Sequence, residues 1–327
     1  MSRAGRGGAR FRPSVACYDE RVSTWRTGPL GAEIFEQLAE GLAGTELQSM
    51  LLEVMRRRAR ARTPADVLAQ YRRDRFTSPS MIDQRTAIAI DGHLLAGADG
   101  FEALELSPVA PLGACSTVAP TDQHRVLSAL RGTEVVSDPT NVLALECAVR
   151  MRAGGAGDAA PPVHLATSQR VVRAQPAPKF PGAAQHFRLL ALGSGGIEAK
   201  DHAFTVEAIV RHIRALTAGL DRLEQHGYAF GARRIDVLAT PARAALGDRI
   251  AAALVGTVAT DRRPLEHAYY SGGLRYMYWV TAPDGEAFPL GDGGAFDWLA
   301  RLLSNRRAVY VASGLGTQLV AARFRRT

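Results

Sequence analysis

Apolar residues recur along this chain with two periods, and the change from one to the other divides it. Between residues 31 and 75 the spacing is helical. Leu47, Leu51, Leu52, Val54 and Met55 form one apolar face, and Thr63-Pro64-Ala65-Asp66 is a helix start with Thr63 as N-cap and Pro64 at the first position. From about residue 84 short alternating runs take over. TAIAI predicts a strand turning at Asp91-Gly92, FEALELSPV a second strand, and EVVSD a third that leads into a helix near Asn141. VHLATSQRVVRAQ and QHFRLLALG predict a strand pair joined by the loop PAPKFPGAA. The clearest helix runs from Asp201 to Gly227, where Val206, Ile209, Val210, Ile213, Leu216, Leu220 and Leu223 keep helical spacing. A strand (IDVLAT), a helix (ALGDRIAAALVG), a hairpin turning at Pro283-Asp284-Gly285, a short helix (FDWLARLL), a strand (AVYVAS) and a Gly-rich entry to a final helix complete the pattern. Hairpins with helices interspersed predict an α+β fold, an antiparallel β-sheet flanked by helices, with an N-terminal helical extension.

The same reading divides the chain into a basic, Gly-rich disordered tail over 1–13, an N-terminal helical region over 14–83 and a core over 84–327, with a flexible connection at 154–162. Composition narrows the class further. The 327 residues are 46% hydrophobic and 22% charged, as expected of a soluble globular protein. No run approaches the length of a membrane span and no apolar leader opens the chain, so a cytoplasmic protein without membrane contact is expected. Cys17, Cys115 and Cys147 are too scattered for a disulfide framework or a zinc site. The histidines show no HxxxH or HExxH spacing, so no metal is expected. The net charge of +8 is almost wholly arginine, since Lys179 and Lys200 are the only lysines. Arg56, Arg57, Arg58, Arg60 and Arg62 could meet RNA phosphates, or they simply favour the negative end of a helix.

Four spaced fragments carry the candidate chemistry. They are FEALELSPVAPL (101–112), VHLATSQRVVRAQP (163–176) followed by HFRLLALGSGG, AYYSGGLRY (268–276), and GDGGAFDWL followed by ASGLGTQL. In that order they resemble the catalytic core of class II aminoacyl-tRNA synthetases, above all histidyl-tRNA synthetase and its paralogues. The resemblance implies a homodimer through the region around Pro108, which sits like the proline of the first signature motif. It implies ATP and Mg2+ as cofactors, with Arg173 at the arginine of the second motif and Arg188 as its partner across the loop. Such guanidinium groups stabilise the charge that develops as a carboxylate attacks the α-phosphate. Gln175 stands where that motif has glutamate, and Gly314 and Gly316 match the glycines of the third motif. Tyr269, Tyr270, Gly293 and Gly294 match substrate-pocket positions, with Asp297 after them and Arg263 (or Arg262) as the pocket arginine.

The departures from the pattern matter as much. Leu319 occupies the arginine of the third motif, and a slip toward Arg323 breaks the glycine register. Ala191 and Gly195 replace the Gln and Glu expected to reach an α-amino group, SDPTN lacks its glutamate, and Ala295 replaces another arginine. An anticodon-binding domain is also expected to be missing. The reading that follows is a small-ligand-binding or regulatory paralogue that has lost tRNA aminoacylation, similar in kind to the regulatory subunit of ATP phosphoribosyltransferase and so working with a partner enzyme. The alternative is a ligase that still adenylates a non-standard acid. A third reading is an RNA-binding accessory protein using the arginine-rich helices.

Overall fold

The computed structural model describes residues 31–154, 161–176 and 184–326. The expected tail over 1–13, and most of the connections after Gly154 and Pro176, lie outside the described residues. The chain divides into two compact units, Met1–Thr63 and Pro64–Thr327. In the first, α1 (Gly31–Glu36) passes through a π-helical turn at Gln37–Gly41 into α2 (Gly44–Arg60). None of its described residues is buried. Arg57 turns back to Glu53, with its Nε 2.9 Å from the carboxylate.

The second unit opens with α3 (Pro64–Arg73) and α4 (Gln84–Gly97). The short strands β1 (Glu102–Ala103) and β2 (Val109–Pro111) follow, then β3 (Ser128–Ala129), β4 (Thr133–Val135) and α5 (Pro139–Ala153). Next come the long hairpin β5 (Val163–Val172) and β6 (His186–Ile197), α6 (Ala203–Glu224), β7 (Arg233–Ala239), α7 (Ala244–Ala253) and β8 (Ala259–Pro264). The hairpin β9 (Leu274–Thr281) and β10 (Ala287–Phe296), α8 (Trp298–Leu303), β11 (Ala308–Gly316) and α9 (Thr317–Arg323) complete it. Eight strands form one sheet in the order β1-β5-β6-β11-β10-β9-β7-β8; β2-β4-β3 form a small second sheet. The six inner strands are antiparallel, and only the two edge pairs, β1 with β5 and β7 with β8, are parallel.

The two faces of the large sheet differ. On one, Leu190, Leu192, Ile235, Val237, Tyr276, Tyr278 and Val311 meet α4, α6 and α7 in one continuous core. On the other, α5 and α8 cover only the β5, β6 and β11 end, through Leu143, Cys147, Leu165, Trp298, Leu299 and Tyr310. Beyond them, β10, β9 and β7 leave Asp292, Arg275, Met277, Trp279 and Leu238 half-buried. This half-open face is where a ligand can reach the sheet.

The segment TAIAI is not a strand, and Asp91-Gly92 is not a turn: both lie inside α4. Asp83 caps that helix, its carboxylate accepting from the Thr86 N–H at 2.9 Å. Ala87, Ile90, Asp91, Leu94 and Gly97 are the buried positions, a helical rather than an alternating spacing. Five residues of alternation are too few to distinguish the two periods. FEALELSPV is likewise not one strand but yields only β1 and β2, separated by an irregular stretch.

Candidate functional site

The half-open face is organised around a turn. Before β9 the chain reverses at Tyr270–Gly273, where the Gly273 N–H donates to the Tyr270 carbonyl at 2.9 Å and Gly273 takes a φ of 76°. This lays the Tyr270 ring on Gly294 of β10. A Cβ at Gly294 would come within 2.5 Å of that ring and 2.3 Å of the Leu274 carbonyl, so the glycine makes room for Tyr270 itself. The Tyr270 hydroxyl donates to Asp292 Oδ2 at 2.5 Å, and Arg275 Nη2 donates to the same oxygen at 2.8 Å. The Arg275 guanidinium lies 5.0 Å from the Tyr270 ring centre. Burial, reinforced by the Asp292 charge, pushes the Tyr270 hydroxyl far above its ordinary range, so it stays a neutral donor. Phe296, Trp298 and Tyr310 extend the aromatic wall behind Tyr269 and Tyr270, with Phe296 and Trp298 rings 4.2 Å apart and Trp298 stacked on Tyr310 at 5.6 Å.

A second cluster faces the first across Tyr269. The N-terminus of α5 is capped by Asp138, which accepts from the Thr140 N–H at 3.0 Å and the Thr140 hydroxyl at 2.7 Å. Arg173, just past β5, donates from Nε to the Ser137 carbonyl at 3.1 Å, holds Asp138 loosely at 3.7 Å and lies 5.1 Å from the Phe187 ring. Beneath it, buried Cys115 sits 2.9 Å from the Ser137 hydroxyl and accepts from Asn141 Nδ2 at 3.2 Å. Burial pushes the Cys115 thiol up, which marks a packed thiol rather than a nucleophile. Tyr269 feels both clusters. Burial raises its hydroxyl most, Asp138 and Asp292 add to this, and Arg173 opposes them.

The remaining residues singled out in the sequence fall into different surroundings. Phe187 and Arg188 are consecutive on β6 and so project to opposite faces. Phe187 carries Arg173, while Arg188 runs to the α4 side, with its Nε 2.5 Å from Asp91 Oδ2. Burial outweighs the arginine there and holds the Asp91 carboxyl above its usual range. Arg188 and Arg173 therefore do not converge. Gln175 lies in the bend after Arg173, half-buried. Gly314 pairs with Asp292 across the sheet, and Gly316 closes β11 ahead of α9. Leu319 packs with the continuous core. Arg323 is drawn to the β9–β10 turn, 3.2 Å from Asp284 and 2.6 Å from Glu286. Arg263 belongs to the edge strand β8, with Nε 3.2 Å from buried Asp236 and Nη2 3.2 Å from Asp261. In the sheet register it shares a row with Arg275, separated by Leu238, so the two backbones stand about 9.5 Å apart. Arg275 and Asp292, which the motifs did not bring out, occupy the centre of the site; Asp292 lies within GDGG, a segment that stands out for its glycines.

Gly293 serves the opposite face. A Cβ there would press on the Ser313 hydroxyl at 2.4 Å and the Tyr276 ring at 2.7 Å. Those two groups end a buried polar chain running under the sheet. His164 Nδ1 meets the Ser194 hydroxyl at 2.7 Å, and that hydroxyl meets His212 Nε2 at 2.8 Å. His212 Nδ1 meets the Ser313 hydroxyl at 2.7 Å, which accepts from Tyr276 at 2.6 Å. Burial depresses His212 to about 3, with His164 and Arg211 adding to it, so the ring is neutral in the fold. Among the described residues, no helix is long and apolar enough to cross a membrane.

No protein-family model and no curated protein sequence matches the chain. Solved structures do. An ATP phosphoribosyltransferase regulatory subunit/histidyl-tRNA synthetase from Bacillus halodurans superposes with a TM-score of 0.54 at 15% identity, over 75% of this chain and 81% of that one. A histidine–tRNA ligase subunit from Alicyclobacillus acidocaldarius gives 0.52 at 15% identity over 75% of this chain and 96% of its own. A putative threonyl-tRNA synthetase from Aeropyrum pernix gives 0.55 at 12% identity over 72% and 59%. The fold is thus that of the class II synthetase core: a large, mainly antiparallel sheet flanked by helices.

Proposed function

We propose that this chain is a small-ligand-binding, regulatory protein on a class II synthetase-like fold, without tRNA aminoacylation. The observation that carries the reading is the dispersal of the cationic side chains an adenylating site requires. Arg188 is held by Asp91 on the opposite face, Leu319, at the third motif's arginine position, packs against the core, and Arg323 is held by Asp284 and Glu286. Among the described residues, Arg173 and Arg275 stand over the open face with Arg234 and Arg263 toward its β7–β8 edge, each beside a carboxylate. A triphosphate would meet about as much negative as positive charge there. Among the described residues no group of three or more His, Cys, Asp or Glu side chains is placed to hold a metal ion. With each of these arginines already balanced by a carboxylate, the residues present do not fit the charge of ATP·Mg2+.

The half-open face suits a small polar ligand instead. Tyr269, Tyr270 and Trp298 supply an apolar wall, Asp138 and Asp292 can receive an amine or hydroxyl, and Arg173 and Arg275 can receive a carboxylate. The exposed apolar edge strand β2, with Pro108 before it and Leu112 after it, is the surface proposed for a homodimer, and a partner enzyme would read the ligand state of the pocket. The test is thermal stability of the full chain with ATP·Mg2+ and, separately, with a panel of amino acids and related carboxylates. A shift with a small ligand alone, lost in Arg275→Ala, supports a sensor pocket. A shift with ATP lost in Arg173→Ala, together with carboxylate-dependent pyrophosphate exchange, would establish the adenylating ligase instead.

A further inference from the structure

The first unit carries an apolar stripe that no described residue buries fully. Along α2, Leu47, Leu51, Val54 and Met55 keep one face, with Met50 at its margin, yet no described residue of this unit is buried; Met50, Val54 and Met55 are 38%, 42% and 51% exposed. A 17-residue helix of this kind gains most of its stability from covering such a stripe. The charges around the stripe say what covers it. Between residues 31 and 63 every acid (Glu33, Glu36, Glu40, Glu46, Glu53) precedes every base (Arg56, Arg57, Arg58, Arg60, Arg62). Favourable placement at the two helix ends explains part of this order. It also makes the segment complementary to itself when reversed.

We propose that α2 pairs with α2 of a second copy in antiparallel register, about a two-fold axis between Leu51 and Leu52. Glu46 and Arg57 are eleven residues, three turns, apart and so stand on the same flank of the helix. In an antiparallel pair, same-side flanks face each other, so Glu46 of each copy meets Arg57 of the other, twice by symmetry. Arg57 is well placed to make this contact, since its side chain is 78% exposed and touches Glu53 at only one nitrogen. A parallel pair would set acid against acid and base against base.

The experiment uses the full chain with Cys17→Ser, because Cys115 and Cys147 are buried. In that background Leu51→Cys is expected to form an inter-chain disulfide on mild oxidation. Leu47→Cys is expected not to, because antiparallel pairing leaves its two copies about 13 Å apart along the axis. Glu46→Arg and Arg57→Glu are each expected to slow cross-linking of the Leu51→Cys chain on the order of tenfold, and the double charge reversal to restore it. Glu46 and Arg57 are too far apart to touch within one helix, so restoration reports only on contact between copies. Cross-linking through Leu47→Cys as fast as through Leu51→Cys would overturn the antiparallel register. No cross-link at Leu51→Cys, or no rescue by the double charge reversal, would overturn the pairing altogether.

Discussion

At the scale of single residues, the site depends on how closely side chains and backbone approach one another. Gly294 and Gly314 both come from glycine-rich segments, but they are not equivalent. A methyl at Gly294 would strike the Tyr270 ring and the Leu274 carbonyl, whereas one at Gly314 would meet Leu189 at 3.6 Å, an ordinary contact. Gly294→Ala is therefore expected to cost about 1–3 kcal/mol in denaturant unfolding and to displace Tyr270, while Gly314→Ala stays near the parent. Similar losses for both would contradict the placement of Tyr270. His212 makes a prediction about pH. Its folded-state value lies below the unfolded one, so the unfolded chain binds the proton and the native chain does not. Its contribution is present above pH ~6.5 and falls as pH is lowered toward ~3, by roughly 1.4 kcal/mol per pH unit. His212→Gln is expected to flatten the slope of stability between pH ~6.5 and ~4.5, whatever it does to stability at neutral pH. The aromatic pair and the glycines stand out in the sequence because their types are unusual there. Arg275, Asp292 and Asp138 do not, because they come together only through the cross-strand register of β9 with β10 and the capping of α5.

Among the elements, α4 shows where sequence patterning fails. The sheet hairpins, α6 and the β9–β10 turn follow from periodicity that extends over whole elements. The start of α4 presents five alternating residues, and its buried face includes an aspartate, which breaks the apolar count. That aspartate is buried because Arg188 reaches it, a partner ninety-seven positions away that no local window contains. The fate of Arg188 is equally invisible in a local window, since the partner that draws it from the open face lies on that helix. Two glycines test the helix directly. Gly92 has open space around its Cβ position, so Gly92→Ala is expected to raise stability by about 0.5–1 kcal/mol, as for a helix interior. Gly97 crosses α6 at Gly219, where a Cβ would come within 2.3 Å of backbone nitrogen. Gly97→Ala is expected to cost about 1–3 kcal/mol by pushing the two helices apart. A Gly92→Ala variant that loses stability would argue for the turn.

For the whole molecule, the asymmetry of the large sheet matters most. One face is sealed by α4, α6, α7 and α9 and provides stability; the other is sealed over half its width and leaves Arg275, Asp292 and Tyr269 half-buried. The fold is that of the class II synthetase core, and the two arginines its second motif singles out lie on opposite faces of the sheet, Arg173 beside Asp138 and Arg188 beside Asp91. The strand order has a further consequence, for the path of folding. β11 is the eleventh strand in the chain, yet it lies in the middle of the sheet, hydrogen-bonded to β6 on one side and β10 on the other. Until it is in place, the β5–β6 hairpin and the β9–β10 hairpin each present an open edge. Closing the sheet requires a contact between segments more than a hundred residues apart, so folding is expected to be slow, and during synthesis it waits for β11 to emerge. For that interval the nascent chain carries two unpaired edges, the state in which strands of neighbouring chains are most apt to join.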